Sequence, residues 1–278
     1  MNYTVLTLFP EIVDAFFATS IMAKAIHRGV IGYRSINIRD FATDKHHKCD
    51  DAPYGGGAGM LMLPEPLGRA LEYAGAQKKL MQAEAQEAPN RHNKRARVVY
   101  LSPSGRLFDQ DLARELATEQ ELILLCGRYE GIDQRIIDSY VDDEISIGDY
   151  VLSSGEVGAL VLIDATYRLV EGVISAESLE EESFSDGLLE YPQYTRPEIY
   201  DMLRVPEVLL SGHHEQIRRW RLRKRVEKTL LVRPDLIAKG LAAGRFSAET
   251  RKLIQELQIQ SSGGQGAAEF EGDTDERN

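Results

Sequence analysis

The apolar residues of this chain fall into short unbroken runs separated by stretches with helical spacing. Tyr3–Phe9 (YTVLTLF) reads as a buried strand, and Pro10, at the favoured first helical position, opens a helix running to about His27. Ser35–Arg39 reads as a short alternating strand. Arg97–Leu101 (RVVYL) and Glu121–Cys126 (ELILLC) read as further buried strands, with a helix over Asp109–Thr118 between them. Asp142–Ile147 follows as a strand, then a helix from about Glu156 to Leu169. Strands apolar on both faces, alternating with helices, predict an α/β fold with a mostly parallel sheet and helices on both faces.

The alternation stops near Gly172. Glu177–Glu190 (ESLEEESFSDGLLE) carries six acids and no base and reads as an exposed connector. After Pro197 the pattern is helical, over Gly212–Thr229, Pro234–Ala243 and Ser247–Gln258. The chain therefore divides into an α/β domain over 1–172, an interdomain linker over 173–196, a small C-terminal helical domain over 197–260 and an acidic tail over 261–278 read as disordered.

Composition adds exclusions. With 43% hydrophobic and 28% charged residues the chain is no wholly disordered one. No apolar run approaches the ~18–20 residues of a membrane span, and the N-terminus lacks a basic secretory region, so a membrane partner is excluded and a cytoplasmic location expected. Cys49 and Cys126 are too few and too far apart for a disulfide framework.

The net charge of −11 argues against nucleic acid until it is placed along the chain. Glu177–Glu190 holds −6 and Glu269–Asn278 holds −4, whereas Arg204–Arg233 is +6. Within it, Ile217–Lys228 (IRRWRLRKRVEK) has seven bases against one acid, with Trp220 among them. A lone charge run is usually a solvated helix face, but such a density of cations around an aromatic suits phosphates and stacked bases. Arg91–Arg97 (RHNKRAR) forms a second cluster. The expected partner class is RNA or another polyanion.

Candidate chemistry sits on three glycine-bearing loops after strands or strand-like runs: Pro53–Met60, Cys126–Gly131 and Ser146–Glu156. Their spacing fits neither a dinucleotide fingerprint nor a P-loop, yet glycines at the ends of parallel strands suit a ligand read by main-chain groups; tight turns are the alternative. His46 and His47 could ligate zinc, or belong to a polar loop reaching toward a ligand; no further metal ligands follow from spacing.

Tyr54–Gly57, Leu101–Pro103, Cys126–Asp133 (CGRYEGID), Ser146–Ser153 (SIGDYVLS), Tyr194–Glu198 (YTRPE) and Ser211–Arg221 occur in order. Together they resemble the bacterial tRNA (guanine-N1)-methyltransferase family, from the N-terminus to about residue 258. The resemblance implies a SPOUT-type α/β fold with a deep trefoil knot, and methyl transfer from S-adenosylmethionine to N1 of guanosine 37 beside the anticodon. It puts the cofactor on Leu101, Ser102, Pro103, Gly127, Tyr129, Glu130, Ile147, Gly148, Asp149, Tyr150, Val151, Leu152 and Gly155. It implies Arg168 as the group that stabilises charge on guanine O6 and Glu182 as the base, where the family has an aspartate; Asp186 and Glu181 are local competitors. His46, Asp50 and Gly59 match residues that engage tRNA or guanosine, and Arg218, Arg219, Trp220 and Arg221 are the expected tRNA contacts on the basic stretch. Two other departures are Ala58, where a proline is usual, and Ser154, where a glycine is common. A homodimer with a shared active site is implied, and magnesium (Mg2+) as an assisting ion without an assigned site. The glutamate at 182 keeps one alternative open, an RNA-binding protein of the same fold with impaired catalysis.

Overall fold

Along Glu121–Cys126, Leu122, Leu124 and Cys126 belong to one apolar cluster and Ile123 and Leu125 to another, and all five are fully buried. A strand buried on both faces needs a layer on each side, and that requirement organises the N-terminal part of the structure. The structure, a computed structural model, describes residues 1–79, 95–175 and 182–264. It forms two compact units, Met1–Ser175 and Ala176–Asn278.

In the first unit the elements are β1 (Asn2–Thr7), α1 (Pro10–Phe17), α2 (Ser20–His27), β2 (Gly32–Asn37), a 3-10 turn (Ile38–Phe41), β3 (Asp50–Asp51), β4 (Leu61–Met62) and α3 (Pro64–Ala74). After the undescribed segment come β5 (Arg97–Leu107), α4 (Gln110–Ala117), β6 (Glu121–Cys126), α5 (Gln134–Tyr140), β7 (Asp143–Ser146) and α6 (Gly155–Tyr167). The five long strands form one sheet in the order β2-β1-β6-β5-β7, parallel at every pairing. Val13, Phe17, Met22, Leu112, Leu116 and Leu162, from α1, α2, α4 and α6, cover one face. Leu67, Leu71, Ile136 and Tyr140, from α3 and α5, cover the other.

The differences from the sequence reading are local. The helix expected over 10–27 is two, because Thr19 is extended and Ser20 takes φ 53, a break suited to residues that favour turns. β5 continues past Leu101 to Leu107 around an irregularity: both Leu101 and Arg106 pair with Ile145, so the residues between bulge out of the ladder. A side chain at Gly105 would meet the backbone of Glu144 at 2.4 Å, which is why the bulge returns through glycine. α3 and α5 had no counterpart in the sequence reading, although Pro64 at the first turn and Gly75, at φ 94 after the last, mark the ends of α3.

The second unit contains a hairpin of β8 (Ile199–Tyr200) and β9 (Leu203–Arg204), then α7 (Glu207–Leu210), α8 (His214–Val232), α9 (Pro234–Ala242) and α10 (Ala248–Gly264). Its core is Leu188, Val226, Ile237, Phe246, Ile254 and Leu257. The end of the stretch read as an exposed connector thus folds with the helices: Leu188 is fully buried, and Arg225 and Thr229 of α8 hold its backbone at Leu189. α10 runs to Gly264, past the expected end at 258; the acidic tail beyond it, and most of Gln77–Arg95, lie outside the described residues.

Candidate active site

β6, β5 and β7 are neighbours, so parallel pairing brings their C-terminal ends to one edge of the sheet. The loops that follow them enclose a cleft of about 230 Å³. All the residues that the sequence assigned to the cofactor line it, except Asp149, which is exposed outside the lining. Tyr100, Arg128 and Gly158 line it as well and carried no assignment.

The lining is largely main chain. The Gly155 N–H donates to the Gly127 carbonyl at 2.9 Å, and a Cβ on Gly155 would lie 2.7 Å from the Gly127 nitrogen. A Cβ on Gly127 would reach 2.9 Å from the Tyr100 ring. Two loops meet there at backbone distance, leaving a cradle that fits a ligand held by N–H and C=O groups. Tyr129 sits between them at φ 58, a left-handed conformation that costs a bulky residue energy and is held here by its neighbours. Ser154 is extended at φ −163, so the serine fits without strain where a glycine is common.

Among the described residues, two charged ones line the cleft, Arg128 and Glu130. Cys126, at the end of β6, is fully buried; loss of solvation, reinforced by Glu156 and opposed by Arg128, pushes its thiol well above the ordinary value. A thiol held neutral in this way does not act as a nucleophile.

The 53–60 loop docks on the same cleft. Glu130 N–H donates to Met60 O at 3.1 Å, and Met62 N–H donates to Gly131 O at 3.0 Å. Gly59, at φ +90, faces the Glu130 side chain. The structure therefore joins one expected substrate residue to the expected cofactor loop. His46 is exposed, with its backbone N–H on Asp44 at 2.8 Å, and Asp50 pairs with Met62 across β3 and β4. A second cleft of about 580 Å³ lies along this segment, lined by charged and aromatic residues including Lys48, Asp51, Tyr54, Asp133 and Arg135, but not by His46, Asp50 or Gly59.

Arg168 is the C-cap of α6, where the helix dipole favours a cation. Glu182 stands in the second unit at the start of a turn, its carbonyl accepting from the Ser185 backbone at 3.2 Å and the Ser185 hydroxyl at 2.7 Å. Asp186, the competitor for the role of base, is committed elsewhere: its carboxylate takes both terminal nitrogens of Arg225, at 3.0 and 2.5 Å. Glu181 lies outside the described residues.

The basic helix is α8, and its charges divide by role. Arg225 is 8% exposed and anchors Asp186 internally. Arg218 grips Glu215 and Glu249, linking α8 to α10, while Arg219, with a side chain 70% exposed, meets Glu215 at 2.7 Å. Arg221 stacks 4.7 Å over Tyr191, and Trp220 tilts against Tyr194 at 6.3 Å, which is 49% exposed. Exposed ion pairs of this kind are worth ~0–1 kcal/mol and give way readily to phosphates. Among the described residues no group of three or more histidines, cysteines, aspartates or glutamates could hold a metal ion. Among the described residues no helix is long and apolar enough to cross a membrane.

Comparison with known proteins gives a concordant result. The family model described as tRNA (Guanine-1)-methyltransferase TrmD matches residues 1–239. A tRNA (guanine-N(1)-)-methyltransferase of Treponema denticola is 59% identical over 258 residues, 93% of this chain and 99% of the relative. The enzyme of that name from Treponema pallidum is 57% identical over 257 residues, 92% and 96% of the two chains. One from Borrelia duttonii is 54% identical over 243 residues, 87% and 94%.

Proposed function

The chain belongs to the tRNA (guanine-1)-methyltransferase family, and on that footing we propose that it methylates N1 of guanosine 37, beside the anticodon of tRNA, using S-adenosylmethionine. The observation that carries this reading is the main-chain cleft at the ends of β5, β6 and β7, with the Gly59 loop docked on its Glu130 wall. Bound there, S-adenosylmethionine would supply an electrophilic methyl group on a sulfonium.

The chain's residues then have two tasks. Guanine N1 is protonated at neutral pH, so its proton must leave as the new bond forms. The Glu182 carboxylate accepts that proton, and Arg168 stabilises the negative charge that builds on O6. Glutamate reaches one methylene further than the family's aspartate, and the turn at Glu182–Ser185 fixes where that reach begins. The pairing of Asp186 with Arg225 favours Glu182 over it as the base.

Cations of α8 meet the RNA backbone, with Arg218 and Arg219 toward phosphates, Arg221 beside them on the Tyr191 ring, and Trp220 with Tyr194 toward bases. A homodimer is supported by apolar residues exposed on α6 and beside it, Val151 at 85%, Val157 at 48% and Val161 at 44%. With tRNA as substrate, the place of action is the cytoplasm.

Incubating the protein with labelled cofactor and an anticodon stem-loop transcript tests this reading. Label at the guanosine beside the anticodon is expected. Binding of both ligands without transfer would favour the non-catalytic alternative.

A further inference from the structure

Glu156 is a carboxylate with no solvent exposure at all, in the first turn of α6 directly behind the cleft. Burying a charge costs several kcal/mol unless partners compensate for the lost water. The partners here come from two other elements. Thr7, at the end of β1, donates its hydroxyl to Oε1 at 2.5 Å, and the Thr7 oxygen is itself fixed by the Phe9 N–H at 2.9 Å. Arg128, on the loop after β6, donates from Nε to Oε1 at 3.4 Å and lies 3.1 Å from Oε2. Oε2 accepts no hydrogen bond among the described residues, so the charge of Arg128 is what balances it.

Arg128 is held on two sides and open on a third. Its guanidinium lies 4.3 Å from the centre of the Phe9 ring, which sets the plane, while Glu156 takes Nε. No protein group among the described residues accepts from Nη1 or Nη2, and the residue lines the cleft, where it is the one cation. A guanidinium fixed in this way is a ready fork for a carboxylate. Resting on the cofactor reading above, the amino-acid end of the ligand brings one carboxylate and one ammonium to a cleft whose two charged residues are Arg128 and Glu130.

We propose that Glu156 is a positioning residue which, with Thr7, fixes Arg128 in the cleft wall, and that Arg128 there recognises the carboxylate of the cofactor's amino-acid end. An RNA phosphate would offer the same acceptor chemistry, and the test separates the two.

The test is calorimetric binding of S-adenosylhomocysteine and of its decarboxylated analogue to the full chain. The unaltered protein should prefer the carboxylate-bearing ligand by about tenfold or more, the range of a charge-assisted hydrogen bond. Arg128→Ala should erase that preference, and Glu156→Gln should cut it to about threefold or less, both with little change for the decarboxylated ligand. A cleft that had merely collapsed would lose the two ligands together. Thr7→Val, which keeps the side-chain shape while removing the anchor on Glu156 and the acceptor of the Phe9 N–H, should give a partial loss of preference and covers the case in which Glu156→Gln does not fold. Undiminished preference in Arg128→Ala, or weaker tRNA binding with the preference intact, overturns the proposal while leaving the cofactor reading standing. Failure of the unaltered protein to bind S-adenosylhomocysteine sinks both.

Discussion

A Cβ atom placed on Gly59 would lie 2.3 Å from Cγ of Glu130, 71 positions further along the chain. Gly59 also has φ +90, so a side chain there is opposed twice, by the backbone conformation and by the neighbour. The contact is where the loop expected to meet the substrate touches the loop expected to hold the cofactor. Gly59→Ala should therefore cost about 1–3 kcal/mol of stability and push Glu130 away from its place in the cleft. Thermal unfolding measures the first effect and S-adenosylhomocysteine affinity the second. Unchanged values for both would mean that the loop is free to move aside.

Glu182→Gln keeps size and hydrogen bonding but cannot take a proton. Turnover should fall by about 10²–10⁴-fold, the usual share of a general base. Cofactor affinity should stay as it was, because the substitution keeps the side chain's size and removes only its capacity to take the proton. Arg168→Gln should also lower kcat more than it changes cofactor affinity. Single-turnover rates with enzyme in excess over tRNA check both variants, and a full rate for Glu182→Gln would move the base elsewhere.

Arg219 and Arg225 stand on the same helix and should respond differently. Arg219→Gln should weaken tRNA binding and reduce the salt slope by about one unit, with little effect on stability. Arg225→Gln leaves Asp186 without its partner and the Leu189 carbonyl without a donor. Because Asp186 is 45% exposed, the loss is discounted from that of a fully buried pair to about 1–3 kcal/mol in the second unit. Salt-dependent binding and thermal unfolding of the two variants distinguish the roles.

The Glu215 carboxylate is held down to about 2, against an ordinary 4.5, by hydrogen bonds from Arg218 and then Arg219. A depressed carboxylate adds stability that is present above 4.5 and lost as the pH falls toward 2. In Arg218→Ala the largest support is gone, so the Glu215 titration should move up toward 4.5. Carbon-detected NMR titration of the side chain reads this shift. A Glu215 midpoint unchanged by the substitution would show that the pair is not formed in solution.

Much of the fold is legible because burial on two faces leaves a mark in one dimension. The run ELILLC has no polar residue after its first, and the strand it predicts, Glu121–Cys126, is the strand observed. The main α/β helices and α8 followed from the same periodicity, with ends shifted by a few residues. What was missed rests on contacts the pattern does not encode. The break at Thr19–Ser20 and the bulge in β5 are tertiary adjustments, and the short Gln134–Tyr140 helix has too few turns to show a period. The acids of Glu177–Glu190 read as solvated as a group, yet Asp186 turns inward to Arg225 from a helix 39 residues away.

The sequence by itself determined the layered α/β core, the helical C-terminal unit, the concentration of positive charge on one helix and, through its ordered motifs, the family. Its glycines marked two of the loops that line the cleft, and the resemblance carried by the ordered motifs named most of the rest. Tertiary structure decided which charges do what. Arg128, Glu156 and Thr7 come from three separated stretches and meet only because parallel pairing brings the ends of β1 and β6 beside the start of α6. Spacing along a chain carries the period of a helix or strand, but a contact between distant side chains exists only after the sheet has set its register.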